Sequence, residues 1–211
     1  MSGIIDRIGY ASCYAYSPAG TDRVSERSRA LCTALKSGDE QCIRRCAARV
    51  RQQSIDLERF AGYFDRGGIL VPVPGSIQRA GARWIAERIA HALIEEGLGD
   101  ATWPVLRRVS AVRKSATAIG GTRSSVRVHY GSLAVTGSGC RPRRVLLVDD
   151  VVTRGRTLLA AAARIHEAFP GTEVRAFALV RTIGLMSRLS RVMEPCTGEI
   201  GWWRGDARRR P

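Results

Sequence analysis

Val145-Leu-Leu-Val-Asp-Asp-Val-Val-Thr-Arg-Gly-Arg-Thr-Leu158 decides how the chain folds. Val145–Val148 is an unbroken apolar run too short for a helix, and it predicts a strand covered on both faces, as in a parallel sheet. Asp149 and Asp150 follow at the carboxyl end of that strand, where open α/β sheets place their ligands. Adjacent carboxylates repel each other, so stability does not explain the pair. Thr153, Gly155 and Thr157 then lead into a helix predicted over 156–168. A glycine-containing turn at a helix N-terminus presents unpaired N–H groups and the positive end of the dipole, a ready site for phosphate. The Thr153 and Thr157 hydroxyls add donors, and Arg154 and Arg156 add charge. Acceptors for sugar hydroxyls thus stand beside donors for a phosphate, and a sugar phosphate satisfies both.

The flanking sequence continues the alternation. Upstream, Ile69-Leu-Val-Pro-Val-Pro74 reads as a short buried strand ended by Gly75–Ser76. A helix is predicted over 78–96, with Ala82, Ile85, Ala86, Ile89 and Leu93 on one face and Gly97 at its end. Pro104–Ala111 reads as a strand, and residues 112–128, which lack periodicity, as a long loop. Downstream, Phe169-Pro-Gly171 stops the second helix and Val174–Val180 forms the next strand. Strands alternating with helices imply parallel βαβ units with right-handed crossovers. Near the start, 24–36 and 39–52 read as helices broken at Ser37–Gly38, with a third over 54–64. The chain divides into a helical region at 1–66, an α/β core at 67–182 and a C-terminal segment at 183–211.

Composition bounds the rest. With 211 residues and 45% hydrophobic content, the chain can bury a core and is too apolar for a disordered protein. No apolar run approaches the roughly 20 residues of a membrane helix, and Met1–Ser12 has no secretory pattern. A soluble, cytoplasmic protein with no membrane partner is expected. The net charge is +15, and every basic residue except Lys36 and Lys114 is arginine. Such a charge favours polyanions or strongly anionic substrates, a solvated basic surface being the plainer reading. The six cysteines contain no CxxC pair; Cys42 and Cys46 share a stripe with Ile43, Ala47 and Val50 and read as core residues. His91 reads as structural, His166 sits late in a predicted helix where a cation is favoured, and His129 is the one histidine near the proposed chemistry. No Ser/His/Asp or Cys/His set offers a rival nucleophilic site.

The Val145–Leu158 segment resembles the phosphoribosyl-pyrophosphate (PRPP) motif of type I phosphoribosyltransferases, and the order of parts resembles the ComF-like branch. There a Val-Pro-Val-Pro strand, here Val71–Pro74, precedes an arginine-rich helix, here Arg79–Arg88, and a last strand ends near Ala-Arg-Thr, here within Ala176–Thr182. The resemblance covers about residues 68–182. The common loop Thr-Thr-Gly-Ala-Thr is replaced by Thr153-Arg-Gly-Arg-Thr157, and the N-terminal zinc module of many ComF-like proteins is missing. The resemblance implies a Rossmann-like parallel sheet of about five strands with N-terminal helices and a C-terminal extension. It implies Mg²⁺- and PRPP-dependent transfer of a phosphoribosyl group to an acceptor, with release of pyrophosphate. Asp149 and Asp150 would bind the ribose hydroxyls, with Mg²⁺ held mainly by the ligand's own oxygens. Val152, Thr153, Arg154, Gly155, Arg156 and Thr157 would cradle the 5′-phosphate, and Pro74, Gly75 and Ser76 would form the pyrophosphate loop. Residues 112–128 would be a lid from which Arg113, Lys114 and Arg123 neutralise the pyrophosphate. The departing charge would be met by orientation and electrostatics rather than by covalent chemistry.

The C-terminal segment carries Trp202–Trp203, Arg204 and Arg208–Arg210. Three readings stay open: a hood over the acceptor, a stacking platform for single-stranded nucleic acid, or tryptophans that dock the tail on the core. The rival function is therefore a regulator or effector of the same fold that binds PRPP-like ligands and a nucleic-acid or nucleoprotein partner. A homodimer is also open.

Overall fold

Residues 5–56, 60–65, 67–76, 83–112, 124–137, 141–184 and 188–211 are described by the structure, a computed structural model. Their elements run β1 (Arg7–Tyr16), α1 (Arg23–Ser37), α2 (Glu40–Asp56), β2 (Ile69–Pro72), α3 (Ile85–Glu95), β3 (Ala101–Thr102), β4 (Leu106–Arg108), α4 (Val126–Gly131), β5 (Leu133–Val135), β6 (Arg144–Val152), α5 (Arg156–Ala168), β7 (Glu173–Thr182), β8 (Met193–Trp203) and β9 (Asp206–Arg210). The main sheet has the order β3-β2-β6-β7-β1-β8-β9. Its first five strands are mutually parallel; β8 joins β1 and β9 joins β8 antiparallel. The fold is α/β with a mostly parallel central sheet. β4 and β5 pair separately as a short antiparallel ribbon.

The apolar run of β6 lies at the centre because it is covered twice. Val145 and Leu147 face a core with Leu158, Leu159 and Ile165 of α5 and Val126 of α4. Leu146 and Val148 face a second core with Leu35 of α1, Ile43 of α2 and Ile89 and Leu93 of α3. Strand side chains alternate between faces, so a strand buried on both must be apolar at every step. Cys42 and Cys46 pack in the second core with Cys13 and Cys32, as expected for Cys42 and Cys46. Local signals fix the helix ends: the Asp22 carboxylate accepts from the Val24 and Ser25 amides before α1, and Gly38 takes the left-handed conformation after it. No described helix is long and apolar enough to cross a membrane.

Several expectations are corrected. Region 1–66 is not wholly helical, since β1 runs inside the sheet between β7 and β8. Its alternation is hidden because both faces are covered, so small and aromatic residues follow one another without a polar face. The third helix over 54–64 does not form as such: α2 runs on to Asp56 and turns follow from Phe60. The strand over Pro104–Ala111 shrinks to β4, because Leu106–Arg108 alone finds a partner in β5. The loop over 112–128 ends in α4, capped by the Ser125 hydroxyl. The parallel part of the sheet has the expected five strands, and the segment 183–211 adds two antiparallel strands beside them.

Candidate functional site

Three loops meet at the carboxyl ends of the parallel strands. β2 pairs with β6 in the register Pro72↔Val148, and the Val73 amide bonds the Val148 carbonyl at 2.8 Å. This sets Pro74–Ser76 beside Asp149 and Asp150. Both aspartates still belong to β6, which continues to Val152 before turning into α5. The Asp150 amide donates to Asp149 Oδ1 at 2.9 Å. Burial, followed by the charge of Asp150, raises the Asp149 carboxyl well above the usual carboxylate range, and the nearby Arg108 guanidinium opposes that shift.

The turn into α5 is built around Gly155. Its φ of 85° lies in the left-handed region, and a Cβ there would fall 2.5 Å from Ile200 Cγ2. Glycine is thus required both by the backbone and by the strand packed over it. The N-cap is Gly155, which has no side chain to cap the helix; an α-helix leaves its first amides without partners inside the helix, and Thr153, Arg154, Arg156 and Thr157 adjoin them in sequence. A cleft of about 30 Å³ opens there, lined by His129, Asp149, Thr153, Gly155, Arg156 and Thr157 among others.

Arg108, His129, Asp206 and Arg209 complete the arrangement. Arg108 on β4 donates to the Gly75 carbonyl at 3.0 Å, to the Pro74 carbonyl at 3.5 Å and to the Ser132 hydroxyl, clamping the expected pyrophosphate loop. Burial lowers its pKa, and Asp149 partly offsets this. His129 on α4 is buried with Nδ1 3.5 Å from the Thr157 hydroxyl oxygen. Burial, then the charges of Arg108 and Arg156, push it down to about 4, so at neutral pH it is uncharged. From the C-terminal hairpin, Asp206 pairs with Arg154 and Arg156, while Arg209 Nε donates to the Thr153 carbonyl at 2.9 Å. Arg209, from the far end of the chain, thus lies against the turn that leads into α5.

The expected site residues Asp149, Asp150, Val152–Thr157 and Pro74–Ser76 are therefore brought to one end of the sheet. Arg113, Lys114 and Arg123 lie outside the described residues. Of the residues that sequence reasoning passed over, Asp206 carried a signal: it is the single acid in Trp202–Arg210, directly after an Arg-Gly turn. Arg108 carried none, since its role depends on the β4–β5 ribbon. Chemically, the arrangement can take an anion at α5 and accept hydrogen bonds from hydroxyls at Asp149 and Asp150.

No protein-family model and no curated protein matches the chain. Among solved structures, it is similar to a hypoxanthine phosphoribosyltransferase from Staphylococcus aureus in two crystal forms. The tetragonal form is 13% identical with a TM-score of 0.37, covering 72% of this chain and 70% of that one. The orthorhombic form is 12% identical with a TM-score of 0.34, covering 71% of each.

Proposed function

We propose that the protein is a PRPP-binding phosphoribosyltransferase of the type I kind, with the ComF-like order of parts. The observation that carries this reading is the continuous run from the Asp149–Asp150 carboxylates through the Gly155 turn to the uncapped N-terminus of α5. In this reading the ribose hydroxyls donate to the two carboxylates, the 5′-phosphate sits on the amides and hydroxyls of Thr153–Thr157, and the pyrophosphate lies along Pro74–Ser76. Arg108 holds that loop through its carbonyl groups and brings a positive charge toward Asp149. Two carboxylates supply too few ligands for octahedral Mg²⁺. The ion would be held jointly by Asp149, Asp150 and the ligand's oxygens, and when bound it would neutralise pyrophosphate charge. Asp149, with its raised pKa, is suited to a cationic partner that restores its ionised form. Calorimetry with PRPP and Mg²⁺ on Asp149→Asn/Asp150→Asn tests the reading: binding is expected to be lost with the fold retained, and unchanged affinity would remove its basis.

A second reading, a regulator or effector with a nucleic-acid partner, is favoured by one observation. Trp203 is 43% exposed, and the guanidinium groups of Arg204, Arg208 and Arg210 lie 5.6, 4.9 and 5.4 Å from its ring centre. Stacking on such a ring is worth on the order of 1–3 kcal/mol per base. Anisotropy of a labelled single-stranded oligonucleotide tests it, with Trp203→Ala expected to weaken a salt-sensitive complex. No binding by the unaltered protein at physiological salt would end this reading.

A further inference from the structure

Arg154 and Arg156 stand where the resembling family loop carries small residues, and both are engaged by a carboxylate of the same chain. Arg156 Nε donates to Asp206 Oδ1 at 2.6 Å and its terminal nitrogen to Oδ2, the forked geometry that guanidinium groups also use on phosphate. Arg154 adds a contact to Oδ2 at 3.3 Å. The pair is largely shielded, with side-chain exposures of 15% for Arg156 and 26% for Asp206. Burial alone would raise the Asp206 carboxyl, but the bonds from Arg156 and the Ala207 amide outweigh it and hold the group below the ordinary carboxylate range.

We propose that Asp206 is the specificity gate of the phosphate cradle: its carboxylate occupies Arg154 and Arg156 until a phosphate monoester takes its place. The inference rests on the reading that Thr153–Thr157 binds a 5′-phosphate. Arg156 lines the cleft beside Thr153, Gly155 and Thr157, and with Asp206 docked its fork is turned to the carboxylate rather than to a ligand there. Asp206 stands at the end of a tight hairpin. It opens β9 directly after the turn Trp203-Arg204-Gly205-Asp206, whose central residues have φ of 49° and 79°, the mirror-type turn of a tight hairpin. The base of the hairpin is anchored separately: Ile200 packs over Gly155, and Arg209 bonds the Thr153 and Thr182 carbonyls. The exchange therefore asks only the Asp206 side chain to leave the two arginines, which frees the turn from its tie to α5.

The exchange selects for charge. Asp206 offers one negative charge, and none of its described bonds reaches the first amides of α5. A phosphate monoester near neutral pH brings close to two charges and meets the arginines and those amides together. A monoanionic or neutral ligand gains no such margin over the resident carboxylate and is excluded.

The test uses ribose 5-phosphate as the probe, with calorimetry on the wild-type protein and Asp206→Asn, and amide hydrogen exchange on the wild type. Removing the competing charge should tighten binding about tenfold or more, the worth of one charge-assisted bond. In the wild type, exchange across residues 203–208 should speed up when the ligand is added. Equal or weaker affinity in Asp206→Asn, with the wild type still binding, overturns the gate and leaves the phosphate reading standing. Unchanged or slowed exchange in a liganded wild type overturns the gate without recourse to a variant. Absence of ribose 5-phosphate binding in both proteins overturns the gate and the phosphate reading together.

Discussion

His129 shows how far one side chain can be drawn from its ordinary behaviour. It is buried between Arg108 and Arg156, and its folded-state pKa is about 4 against an ordinary value of 6.5. A group whose folded pKa is depressed binds fewer protons when folded, so stability is full above the unfolded value and falls as the pH drops. The loss should run from about pH 6.5 towards pH 4, with a total on the order of 3 kcal/mol. His129→Gln, which cannot take up that proton, should flatten this part of the pH–stability curve measured by urea unfolding. An equally steep curve in the variant would mean that other groups cause the loss. At this scale the sequence was only partly legible. The placement of Asp149, Asp150 and Gly155 was readable because it is local: a strand end and a helix start. Arg108 and Arg209 were not, because the Gly75 and Thr153 carbonyls they bind lie 33 and 56 residues away in sequence.

The turn from β6 into α5 and the hairpin of β8 and β9 are one packed unit, and Gly155 is its tightest point. Gly155→Ala would combine a left-handed φ with a clash against Ile200. The backbone part alone costs roughly 1–2 kcal/mol, and the contact adds to it. Ile200→Ala should relieve the clash but not the backbone strain, so the double variant should lose less stability than the two single losses summed. Strict additivity in denaturant unfolding would show that the hairpin does not press on the turn. The predicted helix over 156–168 coincides with α5 because glycine, hydroxyl and alanine signals all agree along it. β1 escaped because its partners, β7 and β8, come from the other end of the chain.

For the whole molecule, a charge of +15 is borne largely by arginines, and the structure divides them by use. Arg108, Arg154, Arg156 and Arg209 converge on the loops at the strand ends, whereas Arg204, Arg208 and Arg210 surround the exposed Trp203. The parallel sheet and the position of the carboxylates were legible from residues 69–180, since each strand-to-helix step is encoded locally. The closing of the sheet by the two chain ends was not, because long-range pairing leaves no short motif. The central claim is that the Gly155 turn and the first amides of α5 bind the 5′-phosphate of a phosphoribosyl ligand. An amide-resolved NMR titration of the full chain with PRPP and Mg²⁺ tests it most directly. The account predicts saturable shifts largest at Gly155, Arg156, Thr157 and Leu158, accompanied by Asp149 and Asp150. Shifts confined to Trp203 and Arg208–Arg210, or none at the α5 N-terminus at saturating ligand, would contradict it.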